Sequence, residues 1–149
     1  MKREDIINAQ KHWSDGIIKM GKISKNKFEL ESFVSSFLDK IYDFDNNVLF
    51  KPTKAQKIQF RNSKEAATSY FIGGNTKYKE DNGFALSKWS KIIFENSDII
   101  ISDNFGLAMG NYIFENDNSR IKVEYSFVYK EMNNSIKIIL HHSSIPFKN

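Results

Sequence analysis

Apolar residues in the first half of the chain recur at helical spacing. The clearest series follows one face of a helix: Ile6, Ala9, Trp13, Ile17 and Met20. It predicts a helix over 6–20, which Gly21 ends. A second helix is predicted over 29–42, and a short third one begins at Asn62, where Asn62 and Glu65 resemble a capping box. Residues 48–51 predict a short strand, which Pro52 confines to an end or an edge of a sheet.

The second half of the chain has the period of β-strands. Strands are predicted over 86–96, 98–102, 105–114, 120–130 and 135–144, with turn residues between them. Alternation is cleanest near the middle, where Val123, Tyr125, Phe127 and Tyr129 face away from charged and polar neighbours. Helices followed by an antiparallel meander predict an α+β fold, with the helices packed on a curved sheet and a cavity possible between them. The predicted organisation is a single domain over 1–149.

Composition narrows the classes of partner. The 149 residues are 40% hydrophobic and 14% aromatic, which is typical of a globular chain. The absence of cysteine excludes disulfides and thiolate metal sites. The net charge is +4, but the basic residues are scattered among 18 acidic ones, so no nucleic-acid partner is predicted. No apolar run is long enough for a membrane span, and no signal peptide is visible. The expected location is cytoplasmic, or secreted or periplasmic if a signal peptide has been removed.

The most informative polar residues end the last predicted strand, in the segment His141-His142-Ser143-Ser144-Ile145-Pro146. Four polar side chains at the end of a buried strand are costly unless they are hydrogen-bonded, so they suggest a lined pocket. Successive side chains of a strand point to opposite faces. Extending the apolar series Ile136, Ile138 and Leu140 predicts that His142 and Ser144 face inward. His141 and Ser143 are the alternative pair.

This cluster has a chemical and a structural interpretation. A pocket histidine can orient or deprotonate a water molecule, and a nearby serine can hold that water or a substrate. From spacing alone the structural interpretation is the simpler one, in which the four groups bond the backbone or each other. Thr53 and Tyr70 are further candidates, and Asn111 is predicted to support the cluster from inside an apolar strand. No HExxH motif or HxH pattern with a supporting carboxylate is present, so neither a metal nor another cofactor is predicted.

Several motifs together resemble a known family. The ending His141-His142-Ser143-Ser144-Ile145-Pro146 resembles the terminal HHSS-x-P motif of the iota-class carbonic anhydrases. Supporting segments lie along the chain: 50–55 (FKPTKA), 83–86 (GFAL), 89–91 (WSK), 94–96 (FEN), 108–112 (AMGNY) and 123–127 (VEYSF). The resemblance covers about 13–147. It extends to the SnoaL/NTF2-like superfamily and to the association domain of calcium/calmodulin-dependent kinase II.

The resemblance implies an NTF2-like cone, a homodimer or larger homo-oligomer, and a pocket for carbon dioxide or bicarbonate. The implied catalytic residues are Thr53, Tyr70, His142 and Ser144, with His141 and Ser143 as the alternative pair. We predict that His141, Ser143 and Asn111 bind the substrate. The implied activity is the metal-independent, reversible hydration of carbon dioxide, with modest rates. The alternative is a non-catalytic NTF2-like module for small-ligand binding or oligomerisation. A different lyase or isomerase is less favoured because the sequence shows no Asp–His dyad.

Overall fold

The helices come first along the chain and the long strands follow. The computed structural model describes residues 1–149. The elements, in chain order, are α1 (Arg3–Lys22), α2 (Lys27–Ile41), β1 (Leu49–Lys51), α3 (Lys64–Ile72), a 3-10 turn (Phe84–Ser87), β2 (Lys91–Ser102), β3 (Phe105–Glu115), β4 (Arg120–Met132) and β5 (Ser135–Ser144). The predicted α+β class is confirmed, with each predicted helix present.

The start of α3 differs by one residue from the predicted cap. The Ser63 side chain caps the helix by accepting from the Ala66 backbone N–H at 3.1 Å. Asn62 instead accepts from the Phe50 backbone N–H at 2.9 Å. This bond ties β1 to the segment that leads into α3, and both elements contribute to the site described below.

The five strands form one sheet in the order β1-β5-β4-β3-β2. All neighbours are antiparallel except β1, which pairs with β5 in parallel. The predicted strand 86–96 begins five residues too early, since Leu86 and Ser87 lie in the 3-10 turn and β2 starts at Lys91. Its remainder and the predicted strand 98–102 form the single strand β2, with a bulge between Asn96 and Asp98. Gly110 lies opposite this bulge, where an added Cβ would be 2.1 Å from the Glu95 carbonyl oxygen. A glycine is therefore required for the close approach of the two strands.

One face of the sheet, called here the inner face, is covered by the helices. The α1 residues Ile6, Trp13, Ile17 and Met20 are buried. They belong to a core of 27 buried hydrophobic residues, which includes Tyr112 of β3 and Phe127 of β4. Burial of these large aromatic side chains is the main source of stability for such a core. None of the helices combines the length and apolar character that a transmembrane span requires.

Candidate active site

A bulge in β5 decides which polar side chains face inward. Tyr129 pairs with Ile138 and Val128 pairs with Leu140, so Ile139 has no partner on β4. One extra residue reverses the alternation of every side chain after it. Ile138 is buried on the inner face, and after the bulge His141 and Ser143 take that face, with only 2% and 1% of their surfaces exposed.

The His141 imidazole is hydrogen-bonded at both nitrogens. Its Nδ1 lies 2.8 Å from the Tyr42 phenol oxygen, and its Nε2 lies 2.9 Å from Ser143 Oγ and 3.1 Å from the Tyr112 phenol oxygen. Ser143 Oγ and the Tyr112 phenol are also hydrogen-bonded to each other. The imidazole stacks on the Phe50 ring at a centroid distance of 4.7 Å. These contacts hold the ring in one orientation inside an aromatic wall.

Two more hydroxyl groups, those of Thr53 and Tyr70, complete the polar side of this site. The Thr53 side chain, just after β1, faces the phenol oxygens of both Tyr70 and Tyr112. The Tyr70 phenol, on α3, accepts from the Lys54 backbone N–H at 3.2 Å. The hydroxyls of Thr53, Tyr70 and Tyr112 therefore meet His141 and Ser143 at one place.

These side chains enclose a small cavity of about 10 Å³, close to the minimum that holds one water molecule. Ten residues line it: Trp13, Phe50, Pro52, Thr53, Tyr70, Phe71, Phe84, Tyr112, His141 and Ser143. None of the ten carries a formal charge when its histidine is neutral. The cavity therefore offers hydroxyl and imidazole groups to a very small molecule, inside walls that are otherwise apolar.

Burial keeps the titratable groups of the cavity uncharged. Desolvation lowers the pKa of His141 well below its ordinary value, and the neighbouring His142 lowers it further. Desolvation also raises the pKa of Tyr70 and of Tyr112 above the ordinary phenol value. At neutral pH the imidazole and both phenols are neutral, so each phenol keeps a proton that it can donate.

Three of the predicted site residues lie elsewhere. The prediction that His142 and Ser144 face the pocket is wrong: His142 is exposed on the outer face of β5, and Ser144 donates to Glu124 Oε2 at 2.8 Å. The cause is the unpaired Ile139, which the strict alternation of the sequence does not reveal. Asn111 also points to the outer face, where its amide donates to the Val123 carbonyl at 3.4 Å, so its predicted supporting role is wrong.

The site also contains two residues that were not predicted from the sequence, Tyr112 and Tyr42. Tyr112 follows Asn111 and shares the inner face of β3 with Ala108 and Phe114, so the alternation of small and large apolar residues could have identified it. Tyr42 follows α2 and forms an isolated bridge to Ile138. No local pattern connects Tyr42 to His141, which lies 99 positions further along the chain. No three His, Cys, Asp or Glu side chains lie close enough together to hold a metal ion.

The buried neutral state of His141 predicts a pH dependence of stability. The unfolded chain binds a proton at His141 near the ordinary pKa of 6.5, whereas the folded chain does not bind it until the pH is much lower. The free energy of unfolding should therefore fall by about 2 kcal/mol between about pH 7.5 and about pH 5 from this group. Urea unfolding at several pH values measures it. His141→Gln should remove this part of the slope, whereas the exposed His142→Gln should keep it, and equal slopes in all three proteins would contradict the assignment.

Solved structures place this fold among NTF2-like proteins. The putative calcium/calmodulin-dependent kinase II association domain of Xanthomonas campestris matches all of this chain and 91% of its own chain, with a TM-score of 0.70 and 19% identity. An NTF2-like protein of unknown function from Shewanella oneidensis matches 97% of this chain and 99% of its own, with a TM-score of 0.62 and 14% identity. The class is therefore an NTF2-like α+β cone with a small polar pocket.

Sequence similarity identifies a particular family within this fold class. The family model described as metal-independent carbonic anhydrase matches residues 4–145. The metal-independent carbonic anhydrase of Nostoc sp. is 31% identical over 151 aligned positions, which cover 97% of this chain and 73% of that protein. A cyanobacterial iota-carbonic anhydrase has been crystallised in complex with bicarbonate. Its structure aligns with all of this chain over 94% of its own length, with a TM-score of 0.95 and 29% identity. This chain belongs to the metal-independent carbonic anhydrase family.

Proposed function

We propose that this chain catalyses the reversible hydration of carbon dioxide to bicarbonate without a metal ion, at the cavity that contains His141 and Ser143. The observation that carries the proposal is the cluster of four hydroxyls and one neutral imidazole in an uncharged cavity of about 10 Å³. Membership of the metal-independent carbonic anhydrase family supports it. The bicarbonate complex of the cyanobacterial relative supports the choice of substrate.

The chemistry of the lining fits both sides of the reaction. Carbon dioxide and water together need more room than the cavity of about 10 Å³ offers, so the lining side chains have to move apart when substrate binds. Carbon dioxide is neutral and apolar, so the aromatic walls suit it. In the reaction a water oxygen bonds to the carbon, one C=O electron pair moves onto oxygen, and one proton of the water leaves for solvent through the hydroxyl groups. Donors that already point at the developing negative charge stabilise the transition state. Thr53 and Tyr70 can donate there, and so can one of Tyr112 and Ser143, which share a hydrogen bond. We propose these four residues and His141 as the active-site residues.

The proposed activity is tested by stopped-flow measurement of carbon dioxide hydration, with chelator-treated protein whose residual metal content is determined. We expect turnover above the uncatalysed rate that does not increase when Zn²⁺ is added. Activity that appears only with added metal would overturn the metal-independent mechanism. Bicarbonate binding in calorimetry without turnover would instead identify a non-catalytic small-ligand module.

The cytoplasmic location stays a prediction.

We also propose that two copies associate through the outer face of the sheet. A row of apolar side chains crosses all five strands on that face, in register: Ile100, Leu107, Val128, Leu140 and Leu49. Ile100 and Leu49 are each 59% exposed, and the neighbouring Met109 is 60% exposed. A continuous apolar row of this kind is typical of an interface. A homodimer would cover it by packing sheet against sheet.

The dimer is tested by sedimentation velocity with Leu107→Lys. We expect wild-type protein to sediment as a dimer and Leu107→Lys as a monomer, because a charged group in the centre of an apolar interface is not solvated. Phe28→Lys is the matched control, since Phe28 is a well exposed apolar side chain at the start of α2. A monomeric wild type, or a dimer that Leu107→Lys leaves intact, would contradict this interface.

A further inference from the structure

A chain of hydrogen bonds leads from the interior of the protein to the cavity. It begins at the Trp13 indole nitrogen, which lies 2.9 Å from the Tyr42 phenol oxygen. It continues from Tyr42 to His141 Nδ1 at 2.8 Å, and from His141 Nε2 to Ser143 Oγ at 2.9 Å. Trp13, Tyr42, His141 and Ser143 are each 2% exposed or less. No solvent reaches the three bonds, so the directions of their protons are decided by the side chains alone.

The first of these bonds has only one possible direction. An indole nitrogen donates and cannot accept, so the Tyr42 oxygen is the acceptor from Trp13. The Tyr42 phenol proton then needs an acceptor of its own. The only other polar atom bonded to this phenol is His141 Nδ1.

The Tyr42 proton also fixes the direction of the second bond, between Tyr42 and His141 Nδ1. If Nδ1 carried the imidazole proton, the Tyr42 proton would be buried without an acceptor, at a cost comparable to a lost hydrogen bond. Nδ1 is therefore the acceptor, and the single proton of the neutral ring is on Nε2. Nε2–H in turn donates to Ser143 Oγ, with the Tyr112 phenol 3.1 Å away as a second acceptor.

We infer that Tyr42 is a positioning residue, which fixes His141 as the Nε2–H tautomer and so makes His141 a hydrogen-bond donor toward the cavity, not a general base. This inference rests on the proposed function for its catalytic meaning, but the tautomer itself does not depend on it. Every donor from Trp13 onward points toward the cavity. The hydroxyls of Ser143 and Tyr112 both accept from His141. Because they also bond each other, one of them donates to the other, and the remaining proton can point toward a bound anion.

The surroundings of His141 agree with a donor role. The titratable side chains that face the imidazole are Tyr42 and Tyr112, with His142 on the opposite face of the same strand. The other neighbours are the rings of Trp13, Phe50 and Phe127. No carboxylate touches the ring to stabilise an imidazolium, which a general base would have to become. A histidine that stays neutral and acts as a hydrogen-bond donor is an established catalytic arrangement.

The tautomer is measured directly by two-dimensional ¹⁵N–¹H NMR of histidine side chains. The double variant His12→Gln/His142→Gln leaves His141 as the only histidine, and both replaced side chains are exposed. We expect one neutral tautomer, protonated at Nε2 and bare at Nδ1. A spectrum with the proton on Nδ1 would overturn the inference without any further variant. The Nε2–H tautomer in a protein without carbon dioxide turnover would support the inference and refute the proposed function.

Tyr42→Phe tests the role of the phenol in the same background. Without the phenol proton neither tautomer has a full set of partners, so we expect the single Nε2–H signal to be lost or split. The rate of carbon dioxide hydration should fall about tenfold, the equivalent of one neutral hydrogen bond. Tyr129→Phe is the matched control, because the Tyr129 hydroxyl is buried without a partner. An unchanged tautomer and rate in Tyr42→Phe would overturn the inference.

Discussion

His141→Ala should lower kcat/KM for carbon dioxide hydration by about 10²–10³-fold, the loss expected when a preorganised donor to a developing oxyanion is lost, because His141 holds the Ser143 and Tyr112 hydroxyls that supply such a donor. His142→Ala should leave kcat/KM unchanged. The two histidines are neighbours on β5, but only His141 reaches the cavity, because the unpaired Ile139 reverses the side-chain alternation. Stopped-flow assays on both variants measure the difference. Because His141 and His142 are adjacent but lie on opposite faces of β5, the difference in activity shows which face of the strand carries the site.

A second pair of variants tests the same assignment with a smaller risk of disturbing the fold. His141→Ala removes the partner of three buried hydroxyls, so its fold has to be checked by circular dichroism and thermal unfolding. Ser143→Ala removes a single oxygen and should also lose activity, whereas Ser144→Ala should not, since Ser144 bonds Glu124 on the outer face. If His142→Ala and Ser144→Ala are the inactive variants, the inner-face assignment is wrong.

Asp81→Asn should reduce the free energy of unfolding by about 3–5 kcal/mol, the cost of leaving a buried charge without its partner. Arg61 and Asp81 form a two-pronged ion pair at 2.6 and 2.8 Å, with 0% and 2% of their side chains exposed. Arg61 also donates to the carbonyls of Ile58 and Ala66, and Asp81 accepts from Ser69 Oγ. One pair therefore joins α3 to the segments on either side of it.

Urea unfolding compares this buried pair with an exposed one. Glu115→Gln breaks the ion pair between Arg120 and Glu115, whose side chains are 60% and 31% exposed. Its cost should be less than about 1 kcal/mol, because water solvates both partners. Since α3 carries Tyr70 and the preceding segment carries Thr53, Asp81→Asn should also lower the rate of hydration. Equal losses of stability in the two variants would show that the Arg61–Asp81 pair contributes little.

The periodic parts of the fold were predictable from the sequence. The apolar series of α1 and the alternation of β4 come from local geometry that each segment carries in itself. The parallel pairing of β1 with β5 was not predictable, because it joins Phe50 to His141 across most of the chain. The predicted break within β2 proved to be a bulge, and Gly110 on the neighbouring strand is the residue that accommodates it.

The site was predictable only in part, for physical reasons. Thr53 and Tyr70 were nominated through the family resemblance, and the structure brings both to the cavity. The wrong choice of His142 and Ser144 follows from one unpaired residue, Ile139, whose identity as an apolar β-branched side chain does not mark it as a bulge. Tyr42 contacts His141 only after α2 and β5 have come together. Contacts between such distant segments depend on the tertiary packing and produce no recognisable pattern in the sequence.

The central claim is that substrate binds on the inner face of the sheet, beside His141 and Ser143. A crystal structure of the protein soaked with bicarbonate tests this most directly. We predict bicarbonate in the cavity, with its oxygens in hydrogen-bonding contact with Ser143 Oγ, the Thr53 hydroxyl and the Tyr70 phenol. Bicarbonate bound on the outer face, beside His142 and Ser144, with the inner cavity holding only water, would contradict the account.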